Sequence, residues 1–138
     1  MNKLNGTIVA IQRSGGIVLA DVDVEGYLFS AILVDTGDPD NWLKVANPVV
    51  LAFKETEVSL AKGLSGLISL RNRIQCRVKS IERGELLCKV NLDFKGWGIA
   101  SVITSRSILM LDLAEGDLVE TLIKANEMVL IQVKPNGN

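Results

Sequence analysis

The chain of 138 residues contains no histidine, and aromatic residues make up only 4% of it. The absence of histidine removes the commonest general base and the commonest metal ligand. No cysteine spacing suits a zinc site, no glycine-rich loop joins a strand to a helix, and no nucleophile stands with a matching base. The sequence therefore predicts a protein that is not an enzyme and that coordinates no metal ion directly.

Strong charge and long apolar segments are also missing. The net charge is -1 at pH 7 and the pI is near 5.5, so no positive field attracts nucleic acid or an anionic membrane. No apolar run approaches the ~20 residues of a membrane span, and nothing resembles a secretory signal. We expect a cytoplasmic protein that contacts neither membrane nor nucleic acid directly, with Cys76 and Cys88 as reduced, half-buried thiols.

Two copies of one small module are visible when the chain is compared with itself at an offset of seventy residues. Identical pairs at this offset include Ile11 with Ile81, Arg13 with Arg83, Asp23 with Asp93, Gly26 with Gly96, Leu43 with Leu113, Val49 with Val119, Lys54 with Lys124, Glu57 with Glu127 and Leu60 with Leu130. The predicted units are a first module over residues 1–62, a linker over 63–68, a second module over 69–134 and a tail over 135–138. Each module is near the lower size limit for an independent core, so we expect it to be stabilised by packing against the other module or against another chain.

Hydrophobic alternation predicts five short strands in each module. The inward positions of the second strand are aliphatic, namely Val18, Ala20, Val22 and Val24, and the second copy repeats the pattern from Cys88 to Phe94. The first strand is predicted to alternate without interruption, with one face formed by Leu4, Gly6, Ile8 and Ala10. Ile11 then falls on the opposite face.

A short helix is predicted only in the second module, between its third and fourth strands. Thr104 offers a hydroxyl N-cap before the apolar run from Ile108 to Leu111. The corresponding segment of the first module, from Val34 to Asn41, contains glycine and proline among acidic residues and is predicted to be a loop. This is the element order of an OB-fold barrel. The predicted fold class is all-β, with two tandem OB-fold-like barrels of five strands, each with at most one short helix.

Hydrogen-bond donors cluster in the second module at the ends of strands. They are Ser69, Arg71 and Asn72 at the first strand, Thr104 and Ser107 at the helix start, and Lys124, Ala125 and Asn126 after the fourth strand. Hydroxyls, backbone N–H groups and one or two cations suit a tetrahedral dianion, because an oxyanion offers only acceptors. The alternative is purely structural: Thr104 is only an N-cap, Arg71 a solvated linker charge and Lys124 a snorkelling strand-end residue.

Four segments of the second module occur in the order found in a known family. They are Ser69-Leu70-Arg71-Asn72, Ile81-Glu82-Arg83-Gly84, Val102-Ile103-Thr104-Ser105-Arg106-Ser107 and Leu122-Ile123-Lys124-Ala125-Asn126. Together they resemble the Mop module, the TOBE-type OB-fold of molbindins, which is also found in molybdate-responsive regulators and at the end of molybdate transport ATPases. The resemblance covers about residues 68–132, and the seventy-residue offset extends it to the first module.

The resemblance implies a molybdate site formed between subunits, with tungstate accepted because it is nearly isosteric and with no organic cofactor. The implied oxyanion-binding residues are Ser69, Arg71, Asn72, Thr104, Ser107, Lys124, Ala125 and Asn126. Ser69 and Arg71 would reach in from the opening strand of a neighbouring chain. The helix start would supply hydroxyls and N–H groups, and Lys124 with the backbone after it would close the shell. The family has alanine where Leu70 stands, and usually serine or proline where Asn126 stands.

The first module departs from the family pattern, so its equivalent site is expected to be degenerate. It lacks the serine and arginine of the opening motif, and Val34 and Gly37 stand in the places of the two helix-start hydroxyls. Glu55 follows Lys54, which places a carboxylate in an oxyanion shell and adds like-charge repulsion. Lys54 and Thr56 remain candidates for a different, secondary site between the modules.

The predicted function is molybdate binding for intracellular molybdenum storage and homeostasis, or for sensing with a DNA-binding or transporter partner on another chain. The resemblance also implies a homo-oligomer, either a dimer or a trimer. One alternative is an OB-fold interaction module with a decayed oxyanion site that binds a protein or single-stranded nucleic acid, with Tyr27, Trp42 and Trp97 available for stacking. A purely structural oligomerisation module is the other alternative.

Overall fold

In the computed structural model, which describes residues 1–35, 37 and 42–134, the chain forms two five-stranded antiparallel sheets. The strands of the first half are β1 (Asn2–Ser14), β2 (Ile17–Val24), β3 (Tyr27–Val34), β4 (Pro48–Phe53) and β5 (Ser59–Ala61). Those of the second half are β6 (Asn72–Glu82), β7 (Leu87–Phe94), β8 (Trp97–Thr104), β9 (Leu118–Ile123) and β10 (Val129–Gln132). Part of the loop predicted after Val34, and the whole predicted tail from Pro135, lie outside the described residues.

Each sheet curls into a barrel, which confirms the all-β prediction of two tandem barrels. The strand orders are β10-β4-β1-β2-β3 and β5-β9-β6-β7-β8, and the outer strands of each sheet approach one another. Helix α1 (Ser105–Leu111) lies between β8 and β9, where the sequence predicted it. Two 3₁₀ turns, Glu55–Glu57 and Ala125–Glu127, were not predicted and precede β5 and β10.

The two halves exchange their last strands. β5 of the first half pairs with β9, with Ser59 opposite Leu122, and β10 of the second half pairs with β4, with Val129 opposite Ala52. Each barrel is therefore completed by a strand from the other half. The predicted boundary at residue 62 follows the sequence repeat, but the hydrogen-bonded sheets extend across it. That this boundary separates two independently folding units stays a prediction.

Two buried asparagines tie the halves together at equivalent positions. The Asn2 amide donates to the carbonyl oxygen of Ala100 (2.9 Å), and its oxygen accepts from the Ala100 N–H (2.8 Å). The Asn72 amide makes the same pair of bonds with the backbone of Ser30, at 2.9 and 2.7 Å. Because the contacts are reciprocal at the seventy-residue offset, the halves are related by approximate twofold symmetry.

A β-bulge changes the predicted alternation of the first strand. Ile8 is buried as predicted, but the pairing of β1 with β2 shifts between Ile8 and Ala10. Ala10 is therefore exposed and Ile11 packs against the core, so the prediction of uninterrupted alternation was wrong beyond Ile8. One extra residue reverses which face the following side chains occupy. The second half has its bulge at the equivalent position, Lys79.

The inward positions predicted for the second strand of each half are confirmed. In β2 these are Val18, Ala20, Val22 and Val24, and in β7 they are Cys88, Val90, Leu92 and Phe94, all buried. Aliphatic side chains dominate this interior, as the low aromatic content required. The barrels thus place their chemistry at strand ends and loops, where polar groups reach solvent.

Candidate functional site

The start of α1 carries two neighbouring hydroxyls. Thr104 is the N-cap: its Oγ1 accepts from the Ser107 N–H (3.1 Å) and lies 2.9 Å from the Ser107 Oγ. This confirms the predicted N-cap. One hydroxyl proton lies between the two oxygens, so the other hydroxyl proton is free to donate outward. The pair therefore offers at least one donor to an incoming oxyanion.

Ser105 fixes the helix start to the β6–β7 hairpin. Its N–H donates to Leu86 O (2.9 Å) and its Oγ donates to Gly84 O (3.0 Å). Two of the first three helix N–H groups, those of Ser105 and Ser107, are thus used inside the chain, which reduces the N–H donors expected there. Beside this start lies an open pocket of about 530 Å³, lined by Glu85, Leu86, Leu87, Thr104, Ser105 and Arg106.

Arg71 and Lys124 leave the sheet at one corner, which we call the cationic corner. Strands β6 and β9 pair as far as Asn72 and Ile123, and the next residues along the two strands are Arg71 and Lys124. Both are exposed, and within residues 1–35, 37 and 42–134 no hydrogen bond or ion pair engages either side chain. Two cations on neighbouring strands repel, so an anion bound between them would be stabilised.

Two further sets of donors flank the cationic corner. Ser69 is exposed and lies two residues before Arg71, ahead of the start of β6. After Lys124, the 3₁₀ turn uses the carbonyls of Lys124 and Ala125 to accept from Glu127 and Met128, at 2.9 and 3.3 Å. The N–H groups of Ala125 and Asn126 have no acceptor in the described part of the chain. These N–H groups remain available to an oxyanion.

Asn72 has a different role from the one predicted. Its side chain is fully buried, and both its amide nitrogen and its oxygen bond to Ser30. The assignment of Asn72 as an oxyanion ligand was therefore wrong, because no donor of this side chain reaches the surface. The next residue is also engaged: Arg73 forms a bidentate pair with Glu120 at 2.5 and 3.1 Å, and this hydrogen bonding raises the pKa of Arg73.

The remaining predicted residues form two groups at opposite ends of β6. The cationic corner adjoins Asn72 at the beginning of the strand, whereas the hydroxyl pair of α1 adjoins the hairpin that follows Glu82. Ten residue steps of extended strand span about 33 Å along the chain. The 3₁₀ turn after Lys124 packs against β3 of the first half, away from α1. A single chain therefore does not bring the predicted residues into one site.

The equivalent positions of the first half hold fewer donors. Val34 is 71% exposed and Gly37 has a φ of 73°, so neither offers a hydroxyl where α1 has two. The Glu55 carboxylate lies 3.7 Å from Lys89 Nζ of the second half. Lys54 and Thr56 are exposed. The cleft between the halves has a volume of about 420 Å³, and the residues lining it are Asn2, Glu55, Lys79, Ser80, Asn91, Leu92, Gly98, Ile99 and Ala100.

Aromatic rings join the two halves at the hairpin tips. Tyr27 meets Phe94 edge to face with ring centroids 5.3 Å apart, and Lys95 Nζ lies 5.4 Å from the Tyr27 centroid. The Trp97 indole N–H donates to Glu25 at 3.4 Å. Because these rings already contact other side chains, they do not form a series of exposed aromatic surfaces on which nucleic-acid bases could stack. This argues against the nucleic-acid alternative.

The two cysteines are free thiols, as predicted, but both are buried, so the prediction that they are half-buried was wrong. Burial raises the pKa of the Cys76 thiol to about 11. A hydrogen bond with the Ser105 hydroxyl lowers the pKa of Cys88. Among the residues described, three or more metal-binding side chains nowhere come together, and no helix is both long and apolar enough to cross a membrane.

Comparisons with known proteins identify relatives in sequence and in fold. The family model for the TOBE domain matches residues 68–130. The molybdenum import ATP-binding protein ModC of Brucella abortus (strain 2308) is 38% identical over 108 residues, which are 78% of this chain and 28% of that protein. ModC of Brucella suis biovar 1 (strain 1330) gives the same values. The chain thus spans about a quarter of the length of these curated relatives.

Two solved structures are also similar. The crystal structure of the cytoplasmic molybdate-binding protein ModG, with molybdate bound, superposes with a TM-score of 0.89 and 25% identity, and the match covers 95% of both chains. A molybdate-binding protein from Sporomusa ovata is 39% identical, with a TM-score of 0.48, and covers 49% of this chain and 100% of its own.

Proposed function

Residues 68–130 match the TOBE-domain family model, and on this premise we propose that the chain is a member of this family that binds molybdate, with tungstate accepted as a nearly isosteric ligand. The role is binding rather than catalysis, and it serves molybdenum storage and homeostasis, or sensing, in the cytoplasm. ModG, whose fold this chain shares along nearly its whole length, is itself a cytoplasmic molybdate-binding protein.

The cationic corner is the observation that carries this proposal. Arg71 and Lys124 supply two positive charges without partners in the described chain, and the N–H groups of Ala125 and Asn126 lie beside them. A tetrahedral dianion balances both charges and accepts hydrogen bonds on every oxygen. The ligand is held through its oxygens, without bonds from protein atoms to the metal centre.

Donor chemistry and cavity size give the site its selectivity. Each predicted group donates hydrogen bonds, and such a shell gives no acceptor to a ligand that keeps a proton. Phosphate retains a proton near neutral pH and is disfavoured for that reason. Sulfate carries the same charge as molybdate but is smaller, so it cannot reach every donor at once. A matched series of tetrahedral oxyanions therefore tests the chemistry of the site.

The complete site forms between copies of the chain. The cationic corner and the hydroxyl pair lie at opposite ends of β6, so the corner of one copy meets the α1 start of another. Exposed apolar side chains surround that start, with Leu86 81%, Leu109 77% and Met110 79% exposed. Burial of such a surface favours association. A twofold dimer or a closed ring of three chains would complete every site.

Binding alone accounts for storage and homeostasis. Sensing or transport additionally requires a DNA-binding or transporter partner on another chain. The ModC relatives are import ATP-binding proteins of which this chain matches about a quarter. That likeness supports a shared ligand-binding module rather than a shared ATPase activity.

Isothermal titration with molybdate, tungstate, sulfate and phosphate tests the proposal. We expect saturable binding of molybdate and tungstate and none of sulfate or phosphate at the same concentrations. Arg71→Ala should weaken binding, whereas Arg13→Ala, which removes an arginine of the first half paired with Asp35, should not. No heat with molybdate at micromolar protein would refute the function. Unchanged binding by Arg71→Ala would refute the assignment of the corner.

A further inference from the structure

Lys62 joins the linker to helix α1. Its Nζ donates to Leu111 O (3.1 Å), to Asp112 O (2.7 Å) and to Asp117 Oδ2 (3.0 Å). An ammonium group has three protons, and these three bonds use all of them. Lys62 follows directly after β5, the strand that the first half contributes to the second barrel. The residue thus stands where the chain leaves the second sheet and the linker begins.

Helix α1 depends on contacts at its C-terminal end. It has seven residues, of which Ile108 alone is fully buried, and a helix of this length is not stable in isolation. The N–H groups of Asp112 and Leu113 satisfy the carbonyls of Leu109 and Ile108. The carbonyls of Leu111 and Asp112 accept from Lys62 instead, and a cation at a helix C-terminus is also favoured by the helix dipole.

The linker and the three residues that follow it form a segment, 63–71, that is held at both of its ends. Lys62 is fixed to α1, and Asn72 is fixed to Ser30 of the first half by two buried hydrogen bonds. The nine residues between these anchors, 63–71, include Ser69 and Arg71. Restriction at both ends reduces the conformations open to this segment. The position of Arg71 therefore depends on both anchors.

In the first half, the equivalent turn has no such link within residues 1–35, 37 and 42–61 or from Gln132. At the seventy-residue offset, Gln132 stands at the place of Lys62 and Asn47 at the place of Asp117. The Asn47 amide donates to Trp42 O (2.9 Å) within its own turn. The turns themselves match, because Ile8 and Val78 make the same backbone bonds with Asn47 and Asp117 at 2.9 Å. The contacts of Lys62 are thus made to the second half, which is also the half with more hydrogen-bond donors at its strand ends.

We propose that Lys62 is a positioning residue of the oxyanion site: it holds the segment 63–71, which carries Ser69 and Arg71, in a fixed relation to helix α1, whose start carries Thr104 and Ser107. Lys62 acts through these residues and does not touch the ligand. The inference rests on the proposed molybdate-binding function of the same site. A site completed between copies needs both donor groups set in advance, because disorder in either would reduce affinity.

Titration of Lys62→Met with molybdate tests this role. We expect the Kd to rise about three- to tenfold with an unchanged number of sites per chain. Lys62→Arg should recover most of the affinity, because a guanidinium can donate to the same carbonyls and carboxylate. Lys89→Met is the matched control: it removes the Lys89–Glu55 pair between the halves, away from the linker, and should change the Kd less than about twofold.

Hydrogen exchange without ligand gives a second readout. Lys62→Met should speed amide exchange both in residues 63–71 and at Asp112 and Leu113, and Lys89→Met should not. Lys62→Gln, which keeps a shorter donor, replaces the methionine variant if that variant does not fold. A Kd within about twofold of wild type together with unchanged exchange would overturn the inference. If the wild type binds no molybdate, the proposed function fails, while the exchange experiment still decides whether Lys62 holds both segments.

Discussion

The half from β1 to β5 and the half from β6 to β10 have the same arrangement of strands but differ in the residues at the strand ends. The strands and the β-bulges of the two halves correspond at the seventy-residue offset. The turn before β4 likewise corresponds to the turn before β9. Asn2 and Asn72 make the same bonds across the molecule. At the strand ends, by contrast, Lys54 is followed by Glu55 where Lys124 is followed by Ala125, and Val34 stands in the place of Thr104.

This difference separates what holds the fold from what binds a ligand. The shared positions are buried or tie one half to the other, so a change at either copy would disturb both barrels. The divergent positions are exposed or partly exposed, and none of them belongs to the buried core. The cationic corner therefore makes no contact that the fold needs, whereas the hydroxyl pair also caps helix α1. Variants at equivalent positions in the two halves can test this separation directly.

The largest effect on stability is expected from the asparagines. Asn72→Ala leaves the buried N–H and carbonyl of Ser30 without partners, and we expect a loss of about 3 kcal/mol in the free energy of unfolding. Asn2→Ala should cost a similar amount, because it strands the same two groups of Ala100. Urea unfolding without ligand measures both values.

Asn91→Ala is the matched control for the asparagine variants. Its amide bonds to Ser80 and Glu82 nearer the surface, so removal should cost less than about 1 kcal/mol. Equal losses for Asn72→Ala and Asn91→Ala would show that the reciprocal contacts do not hold the halves together.

The lysines that end β4 and β9 should differ in their effect on ligand affinity. Lys124→Ala removes one of the two cations of the corner, and we expect the molybdate Kd to rise at least about tenfold. Lys54→Ala should leave the Kd within about twofold, because Glu55 beside it disfavours an anion. Titration calorimetry on both variants measures the contrast. A similar loss in both would mean that the first half also binds the oxyanion.

Gly6 of β1, which corresponds to Cys76 of β6, is one of the positions at which the two halves carry side chains of different size. A Cβ at Gly6 would lie 2.5 Å from Val22 Cγ1 and 2.8 Å from Asp23 O. Gly6→Ala should therefore destabilise the protein by about 1–3 kcal/mol through overpacking. Cys76→Ala removes only a small buried group and should cost about 1 kcal/mol. Thermal unfolding measures the stability of both variants. A melting temperature of Gly6→Ala equal to that of the wild type would contradict this account.

The smallest effect concerns acid stability at the turn before β9. A hydrogen bond from Lys62, and one from the Ala114 N–H, lower the pKa of Asp117 from its ordinary 3.8. The stabilisation is therefore present above pH 3.8 and is lost as the pH falls through the lower pKa of the folded state. The melting temperature of Asp117→Asn should lie below that of wild type at pH 7, and the gap should narrow below about pH 4. Asp23→Asn, at a carboxylate outside this turn, should show no such change.

Much of the fold follows from local sequence patterns. Alternation from Val18 to Val24, glycine turns and the threonine N-cap depend on neighbouring residues, so a single sequence predicts them well. The positions of Arg71 and Lys124 at the ends of strands were also predicted, whereas their role as oxyanion ligands stays a prediction. The seventy-residue offset strengthened each of these predictions by presenting the pattern twice.

The features that were missed depend on distant contacts or on one inserted residue. A bulge reverses the faces of a strand without changing its composition, so Ile11 was assigned to the wrong side. The exchange of β5 and β10 depends on which sheet edge each short strand pairs with, and the sequence of the strand does not distinguish the edge of its own sheet from the edge of the other sheet. Asn72 looked like a ligand because it adjoins Arg71; its pairing with Asn2 at the offset was the signal of a structural role.

Complementation between two inactive variants tests the central claim, that the oxyanion site forms between copies. One chain carries Arg71→Ala, and the other carries Thr104→Val with Ser107→Ala. Each alone should bind molybdate weakly, because each lacks one group of donors at every site. Refolded together as an equal mixture, they should recover about a quarter of the wild-type sites, since a random oligomer pairs two intact groups at that frequency. Recovery of no tight sites in confirmed mixed oligomers would contradict the account.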